Sequence, residues 1–229
     1  MKRFVLIRHG ESTWNILHRF SGWADIPLTQ TGCRQAVDAG RLLKESGFDF
    51  DIAYTSRLKR SIKTLDLVLE EMDLLWIPVI KAWQLNERQD GALQGMSSDE
   101  IKVLYGEENM IKWVSDFKVH PPLISAHDVE RHPRHDKKYK DVVPALLSAG
   151  ENFGETLERI TDYWNSAIKK DVADRKNVLV CAHNHVLKCF TIMLGTNKPD
   201  DYLSISIPNS EPLVYEFDDD MNVTQNYYL

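Results

Sequence analysis

Phe4-Val5-Leu6-Ile7-Arg8-His9-Gly10-Glu11, near the start of this 229-residue chain, is the stretch that says most about the fold. Four apolar residues that end abruptly in Arg8, His9 and Gly10 predict a buried strand running out of a sheet into a turn. Ligands of open α/β sheets bind at that end of the strands. Arginine matches the oxygens of a phosphate group, and a histidine kept neutral by a neighbouring cation can attack phosphorus. The alternative is that His9 has only a structural role, and this stretch alone does not distinguish the two roles.

The composition is that of an ordinary globular protein, with 43% hydrophobic and 27% charged residues. Its length suits one α/β domain, with or without an insertion. The net charge of −6 argues against an extended nucleic-acid-binding surface. No apolar run approaches membrane-spanning length, and the start of the chain lacks the apolar core of a signal peptide. Three cysteines without metal-ligand spacing favour reduced thiols and a cytoplasmic location.

Strand and helix patterns alternate after the first strand. We expect Thr29 to cap a helix that runs to about Ser46. A short strand over residues 51–55 comes next, and we expect Ser56 to cap the helix that follows it. Further strands are expected over residues 77–80, 177–182, 213–217 and 223–228, and further helices over residues 98–117, from Gly154 and after His185. This order predicts an α/β fold with a parallel sheet.

A second apolar strand, residues 177–182, also ends in a histidine, His183. If the two apolar strands are neighbours in a parallel sheet, His9 and His183 lie together at one edge. Cations also begin the second long helix, at Arg57, Lys59 and Arg60, where they oppose the helix dipole. An anion bound at this helix start explains them, and a solvated basic turn is the alternative.

The loop of residues 83–95 contains an acidic and a basic residue in succession, Glu87 and Arg88. A carboxyl beside a phosphate site can carry the proton of an attacking or a leaving oxygen. A surface ion pair between Glu87 and Arg88 is the alternative.

Residues 118–152 show no periodicity, because prolines interrupt them. An irregular stretch of this length usually covers an active site or is mobile. Its histidines fit no zinc-binding spacing, and the neighbouring lysines and arginines repel a cation, so we predict no metal site. The simplest organisation is a single domain of residues 1–229 with an active-site cover inserted over residues 87–152, called the cover segment below.

Six motifs follow one another along the chain. They are LIRHGESTWN (residues 6–15), FSGWADIPLT (20–29), YTSRLKRSIKT (54–64), LNER (85–88) followed by GALQG (91–95), CAH (181–183) and PLVYEF (212–217). This series resembles the cofactor-dependent phosphoglycerate mutases, a branch of the histidine phosphatase superfamily, over nearly the whole chain. The resemblance implies a three-layer α/β/α domain with a mostly parallel central sheet. It also implies interconversion of 3-phosphoglycerate and 2-phosphoglycerate, a step of glycolysis primed by 2,3-bisphosphoglycerate.

The resemblance further implies roles for individual residues. His9 would be the nucleophile that becomes phosphohistidine, and Glu87 the general acid and base. The residues implied to hold the transferring phosphoryl group are Arg8, Arg60 and His183. Those implied to bind the substrate are Asn15, Ser21, Gly22, Arg88 and Asn184. No metal is implied, which suits phosphoryl transfer because that reaction needs mainly positioning and charge stabilisation.

Four departures from the family concern the residues that grip the carboxylate and the distal phosphate of the substrate. They are Gln89-Asp90 for His-Tyr, Ser98 for lysine, Val114-Ser115 for Arg-Arg, and Asn184-His185 for Gly-Asn. Loss of three cations removes about 5–9 kcal/mol of gross binding energy, at about 1.5–3 kcal/mol each. Asp90 adds repulsion between like charges. Cations of the cover segment would have to compensate, the candidates being Lys102, Lys112, Lys118 and Arg131.

Three functions are therefore compatible with the sequence. The first is a mutase with an altered substrate grip and weaker turnover than an ordinary family member. The second is a phosphatase that uses the same phosphohistidine on another small phosphomonoester. The third, a non-catalytic phospho-ligand binder, is the least favoured because all groups needed for transfer are present. We expect a small phosphorylated metabolite as ligand and no nucleic-acid or membrane partner, and a homodimer is left open.

Overall fold

The computed structural model describes residues 2–174 and 176–229, in which one six-stranded sheet forms the centre. The strands are β1 (Lys2–Arg8), β2 (Ile52–Thr55), β3 (Val79–Lys81), β4 (Val178–Ala182), β5 (Leu213–Phe217) and β6 (Val223–Tyr228). They lie in the order β3-β2-β4-β1-β5-β6. Pairing is parallel from β3 to β1 and antiparallel for β5 and β6, so the prediction of a mostly parallel sheet is confirmed.

Helices cover both faces of this sheet. Those of the described residues are α1 (Thr13–Ile16), α2 (Gln30–Glu45), α3 (Lys59–Glu71), α4 (Ser98–Tyr105), α5 (Glu107–Ser115), α6 (Phe153–Tyr163), α7 (Lys169–Ala173) and α8 (Asn184–Met193). A π-helical turn, Trp164–Ile168, joins α6 to α7.

The side chains of β1 explain the three layers. Phe4 and Leu6 belong to the core on one side of the sheet and pack with α6 and α8. Val5 and Ile7 belong to the core on the other side and pack with α2 and α3. All four are fully buried. A parallel strand covered on both faces needs apolar side chains at successive positions, which is why residues 4–7 form an unbroken hydrophobic run.

The helix starts include one correct prediction and one error. Thr29 accepts the N–H of Gly32 through its hydroxyl and begins α2, as expected. Ser56 does not cap α3, because that helix begins at Lys59 after an N-cap at Leu58. The Ser56 hydroxyl lies beside His183 instead.

The cover segment contains little regular structure. Its helices α4 and α5 confirm the helices predicted over residues 98–117. Beyond them it holds 3-10 turns at Pro133–His135, Lys137–Tyr139 and Pro144–Leu146. Across residues 2–174 and 176–229, no helix has the length and apolar character needed to cross a membrane.

Candidate active site

The two predicted histidines meet at the carboxyl edge of the sheet. Arg8 is paired with Ala182 in the parallel ladder of β1 and β4, and the N–H of His9 donates to the carbonyl of Ala182 at 3.0 Å. The next residue of each strand is a histidine, and the ring centroids of His9 and His183 lie 5.1 Å apart. The expectation that both strands bring their histidines to one place is confirmed.

His9 is held with one ring nitrogen available for reaction. Because a carbonyl only accepts, Nδ1 must donate to the oxygen of Gly10, 2.7 Å away, while Nε2 accepts from Nε of Arg60 at 3.3 Å. Burial, followed by the charges of Arg60 and Arg8, holds the pKa of His9 well below its usual value of 6.5. The ring is therefore neutral at pH 7, and its lone pair lies on Nε2, where a nucleophile needs it.

Close packing fixes the turn that carries His9. A Cβ on Gly10 would lie 2.3 Å from the carbonyl oxygen of Gly32, at the start of α2. A Cβ on Gly32 would lie 2.1 Å from the carbonyl oxygen of Glu11. Only glycine allows this approach of the two backbones. On the other side, Asn209 donates to the carbonyl of His9 at 2.6 Å, so the turn is held from both directions.

Two arginines from different elements surround the reactive ring. Arg60, in the first turn of α3, donates to the carbonyl oxygens of Gly22 at 3.0 Å and Ala24 at 2.8 Å. Burial lowers the pKa of Arg60 to about 10, so it stays cationic at neutral pH. Arg8 donates to the carbonyl of Ile207 at 2.8 Å, and its Nε is buried without a hydrogen-bond partner among the described residues. Arg60 is thus fixed beside Nε2, with Arg8 in the same cavity wall, and both guanidinium groups suit an anion.

The N-terminus of α3 is not itself the anion site that the sequence suggested. The N–H of Lys59 donates to Oδ1 of Asp25 at 2.6 Å. A carboxylate of the protein therefore lies at the positive end of this helix dipole. It is the side chain of Arg60, rather than the helix start, that reaches the reactive centre.

Glu87 is buried and held through one oxygen. Its Oε1 accepts the N–H groups of Arg88 at 2.9 Å and His185 at 3.1 Å, and lies 3.3 Å from Nδ1 of His185. Burial raises the pKa of this carboxyl, but the imidazoles of His185 and His183 and the backbone hydrogen bond together hold it well below 4.5. Glu87 is thus ionised and able to accept a proton. The alternative prediction, a surface ion pair between Glu87 and Arg88, is wrong, because the buried Arg88 guanidinium pairs with Asp90 at 3.2 Å.

A cavity of about 310 Å³ opens over these groups. Its wall is formed by Arg8, His9, Asn15, His18, Arg19, Phe20, Ser21, Arg60, Glu87, Asp90, Asn184 and His185. Of the substrate-binding residues implied by the resemblance, Asn15, Ser21 and Asn184 therefore lie in the wall. Gly22 and Arg88 are buried behind it. No group of three or more His, Cys, Asp or Glu side chains in the described parts of the chain is arranged to hold a metal ion.

Asp90 is a structural group as well as a negative charge. Its Oδ2 accepts the N–H of Gly22 at 2.8 Å, and its Oδ1 pairs with Arg88 at 3.2 Å. The pairing with Arg88 therefore partly offsets the repulsion of an anionic substrate that the sequence predicts for Asp90. The same pair also commits Arg88, so that this guanidinium is no longer free to bind a substrate.

Other departures from the family lie away from the cavity. Ser98 is exposed in the first turn of α4, while Val114 and Ser115 end α5, and none of the three lines the cavity. The cover-segment cations pair with nearby carboxylates instead: Lys102 with Glu107, Lys112 with Glu108 and Arg131 with Asp128. Lys118 is likewise outside the wall. Within the described residues, the cover segment thus brings no cation into the cavity wall.

Sequence reasoning assigned no role to three polar residues of the wall, His18, Arg19 and His185. Arg19 forms a bidentate ion pair with Glu100, at 2.8 and 3.0 Å, across 81 positions of sequence. A contact over such a separation leaves no local pattern by which to find it. His185 did carry a signal, since it departs from the family right after His183 and Asn184.

Comparisons with known proteins place the chain in a family. The sequence model of the Histidine phosphatase superfamily (branch 1) matches residues 4–228. The chain is 42% identical over 227 residues to a 2,3-bisphosphoglycerate-dependent phosphoglycerate mutase of Lachnoclostridium phytofermentans, covering 99% of this chain and 91% of that protein.

Solved structures show the same architecture. An alpha-ribazole phosphatase from Shigella flexneri is similar with a TM-score of 0.75 at 22% identity, over 97% of this chain and 94% of that chain. A phosphoserine phosphatase from Entamoeba histolytica, solved with 3-phosphoglyceric acid, has a TM-score of 0.69 at 21% identity, over 99% and 96% of the two chains. At these identities the similarity shows the fold alone.

Proposed function

Because the chain belongs to the histidine phosphatase superfamily, we propose that it interconverts 3-phosphoglycerate and 2-phosphoglycerate through a phosphohistidine on His9. The observation that carries the proposal is the state of His9, a buried neutral imidazole whose Nε2 lone pair lies beside the guanidinium of Arg60. The mutase relative of L. phytofermentans, matched over nearly its whole length, favours this reaction within the superfamily.

Arg8, Arg60 and His183 are proposed to hold the transferring phosphoryl group. Nε of Arg8 and Nδ1 of His183 are buried and have no partner among the described residues. Buried polar groups normally have partners, so two such nitrogens beside His9 support the binding of an anion there. In the mutase, 2,3-bisphosphoglycerate supplies the phosphoryl group that first loads His9. Arg8, Arg60 and His183, which are positive or can donate hydrogen bonds, suit the negative charge on the equatorial oxygens of the transferring phosphoryl group.

Glu87 is proposed to carry a proton between two oxygens of the substrate. In the first half of the cycle, the substrate hydroxyl attacks the phosphorus of phosphohistidine, the Nε2–P bond breaks, and Glu87 accepts the hydroxyl proton. In the second half, Nε2 of His9 attacks the other phosphoryl group, its P–O bond breaks, and the released oxygen takes the proton from Glu87. This cycle starts from ionised Glu87, which the low pKa of the carboxyl supplies.

The cavity wall supplies the proposed substrate contacts. Oδ1 of Asn15 accepts from the N–H and the hydroxyl of Ser12, both at 2.9 Å, which leaves the amide N–H₂ for a ligand. Ser21 and Asn184 lie in the same wall. We propose that Gly22 and Arg88 act from behind the wall, where each fixes one oxygen of Asp90.

One observation favours a second function, a phosphatase that uses the same phosphohistidine. Arg88 is bound by Asp90, and Ser98, Val114 and Ser115 provide no charge that would replace it. A monophosphate held weakly at its carboxylate end would leave the phosphohistidine open to water. Hydrolysis would then compete with mutase turnover.

Two assays distinguish these functions. With 3-phosphoglycerate as substrate, we expect 2-phosphoglycerate to form only when 2,3-bisphosphoglycerate is present, and more slowly than in an ordinary family member. Hydrolysis of p-nitrophenyl phosphate without primer-dependent formation of 2-phosphoglycerate would favour the phosphatase. Phosphate binding with neither reaction would indicate a non-catalytic binder.

We also propose that residues 1–229 form one domain, with the cover segment over its active site, and that two copies form a dimer. β3 is an edge strand; its own Ile80 is 40% exposed, and Leu75 and Trp76, shortly before it in the chain, are 61% and 76% exposed. Apolar side chains at a sheet edge favour pairing with another chain. Light scattering after size-exclusion chromatography would test the dimer, which a monomer at micromolar concentration would contradict.

For location and partners, we propose the cytoplasm and a small phosphorylated metabolite, with no nucleic acid or membrane. The free thiols of Cys33, Cys181 and Cys189 support a reducing compartment. Burial raises the pKa of the Cys181 thiol to about 12, so this cysteine is a packing residue rather than a nucleophile. The net charge of −6 is unfavourable for nucleic acid.

A further inference from the structure

Ser56 is a buried hydroxyl that contacts the second histidine of the site. It follows β2 directly, is 0% exposed, and lies with Oγ 2.8 Å from Nε2 of His183, which is also 0% exposed. The backbone N–H of Leu58 donates to the same Oγ at 3.1 Å. These two contacts account for every hydrogen bond of the Ser56 side chain to the described residues.

The hydrogen bonds of Ser56 can be satisfied in only one way. A hydroxyl has one proton to donate, and a buried donor is rarely left unpaired. The N–H of Leu58 is a donor, so it cannot receive that proton. Nε2 of His183 remains as the acceptor, and the Ser56 hydroxyl therefore donates to it.

The protonation state of His183 follows from this contact. Burial, followed by the charges of Arg60 and His9, holds the pKa of His183 well below 6.5, so the ring is neutral and carries one N–H. If Nε2 accepts from Ser56, that N–H lies on Nδ1. Nδ1 is buried and has no partner among the described residues. The centroid of the His183 ring lies 5.1 Å from that of the His9 ring.

We infer that Ser56 is a positioning residue, which fixes His183 in the Nδ1–H tautomer so that a neutral N–H donor awaits the phosphoryl group on His9. This inference rests on the proposed phosphohistidine chemistry and adds a residue to it. With the opposite tautomer, Nδ1 would present a lone pair to the phosphoryl oxygens and would repel them. A donor fixed before the reaction needs no reorganisation during transfer, which is the usual source of such stabilisation.

The tautomer can be measured without any turnover. A two-bond ¹H–¹⁵N spectrum of the labelled wild-type protein at pH 7.5, with the His183 signals assigned from His183→Gln, reports which ring nitrogen carries the proton. We expect the proton on Nδ1 in the wild type and loss of this preference in Ser56→Ala. A wild-type His183 protonated on Nε2 would overturn the inference, whatever the variants do.

Kinetics provide the second measurement. We expect Ser56→Ala to be phosphorylated by 2,3-bisphosphoglycerate roughly 10- to 100-fold more slowly than wild type, as for the loss of one hydrogen bond to a charged group. Ser56→Thr keeps the hydroxyl and should recover part of the rate. Ser61→Ala is the matched control, because Ser61 is equally buried but donates to the carbonyl of Cys181 at 2.7 Å. It should label close to the wild-type rate.

The outcomes separate this inference from the proposed function. If 2,3-bisphosphoglycerate phosphorylates wild type and Ser56→Ala at equal rates, the role of Ser56 is refuted and the proposed function stands. A wild-type protein that never labels would refute the function, while the spectrum would still decide the tautomer. An equal loss of rate in Ser56→Ala and Ser61→Ala would show a general packing effect and would also refute the specific role.

Discussion

Asp90→Asn is the substitution that tests the unusual part of this site. Asparagine has the size of aspartate and keeps one oxygen for the N–H of Gly22, but it removes the charge that binds Arg88. Two effects of opposite kind follow. The buried ion pair is lost, which weakens the fold, and the cavity becomes more positive by one charge, which strengthens binding of an anionic substrate.

Both magnitudes follow from the contacts of Asp90. The side chains of Arg88 and Asp90 are 5% and 7% exposed, so the pair is screened little by solvent. Loss of a hydrogen bond between charged groups removes about 1.5–3 kcal/mol of stability, and Tm should fall by roughly 3–12 °C at about 2–4 °C per kcal/mol. For substrate charge about 8 Å away, removal of one negative charge is worth about 2 kcal/mol at an effective dielectric near 20. KM should therefore fall roughly 10-fold or more.

Thermal unfolding and steady-state kinetics on the same preparation measure both effects. Asp38→Asn is the matched control, because Asp38 pairs with Arg41 at 3.3 Å on the exposed surface of α2, where its side chain is 69% exposed. It removes the same charge and should change neither Tm nor KM appreciably. An Asp90→Asn variant with unchanged Tm and an unchanged or raised KM would refute the account of this pair.

Three further predictions concern the reacting groups. Glu87→Gln removes the proton acceptor, and we expect kcat to fall by about 10²–10⁴; near-normal primer-dependent turnover would exclude Glu87 as the base. His185 makes the largest contribution among the groups that lower the pKa of Glu87 against the effect of burial. His185→Asn should therefore raise the pKa of Glu87, so that less of this carboxyl is ionised at acidic pH. The ratio of kcat/KM in this variant to that of wild type should then decrease from pH 8 to pH 5, and a constant ratio would contradict the coupling. Arg60→Lys loses the donor to His9 and the two carbonyl contacts, so kcat should fall by about 10²–10³; a variant within a few-fold of wild type would show that these three guanidinium contacts are unimportant.

The sequence predicted the sheet and its reactive edge because both depend on local patterns. Residues 4–7 form an unbroken apolar run, which a parallel strand covered on both faces requires. Each of the two innermost parallel strands ends in a histidine, and parallel strands bring such ends together. The positions of Arg8, His9 and His183 at this edge therefore follow from the sequence pattern alone.

The errors concern side chains whose partners are distant in sequence. Serine is a residue type typical of N-caps, but the Ser56 hydroxyl is hydrogen-bonded to His183, 127 positions away. Helix α3 begins only at Lys59. The structural role of Asp90 was missed as well, because its contact with Gly22 spans 68 positions and the sequence shows only its charge. Propensities describe what a residue does with its neighbours, and tertiary contacts of this kind override them.

The central claim is that Nε2 of His9 carries the phosphoryl group. Wild-type protein is mixed with 2,3-bisphosphoglycerate, quenched at alkaline pH within milliseconds to seconds, and its intact mass and modified residue are determined beside those of His9→Ala. We predict that wild type gains the mass of one phosphoryl group on His9 and that His9→Ala gains none. An unmodified wild type, or an equal gain in both proteins, would contradict the mechanism.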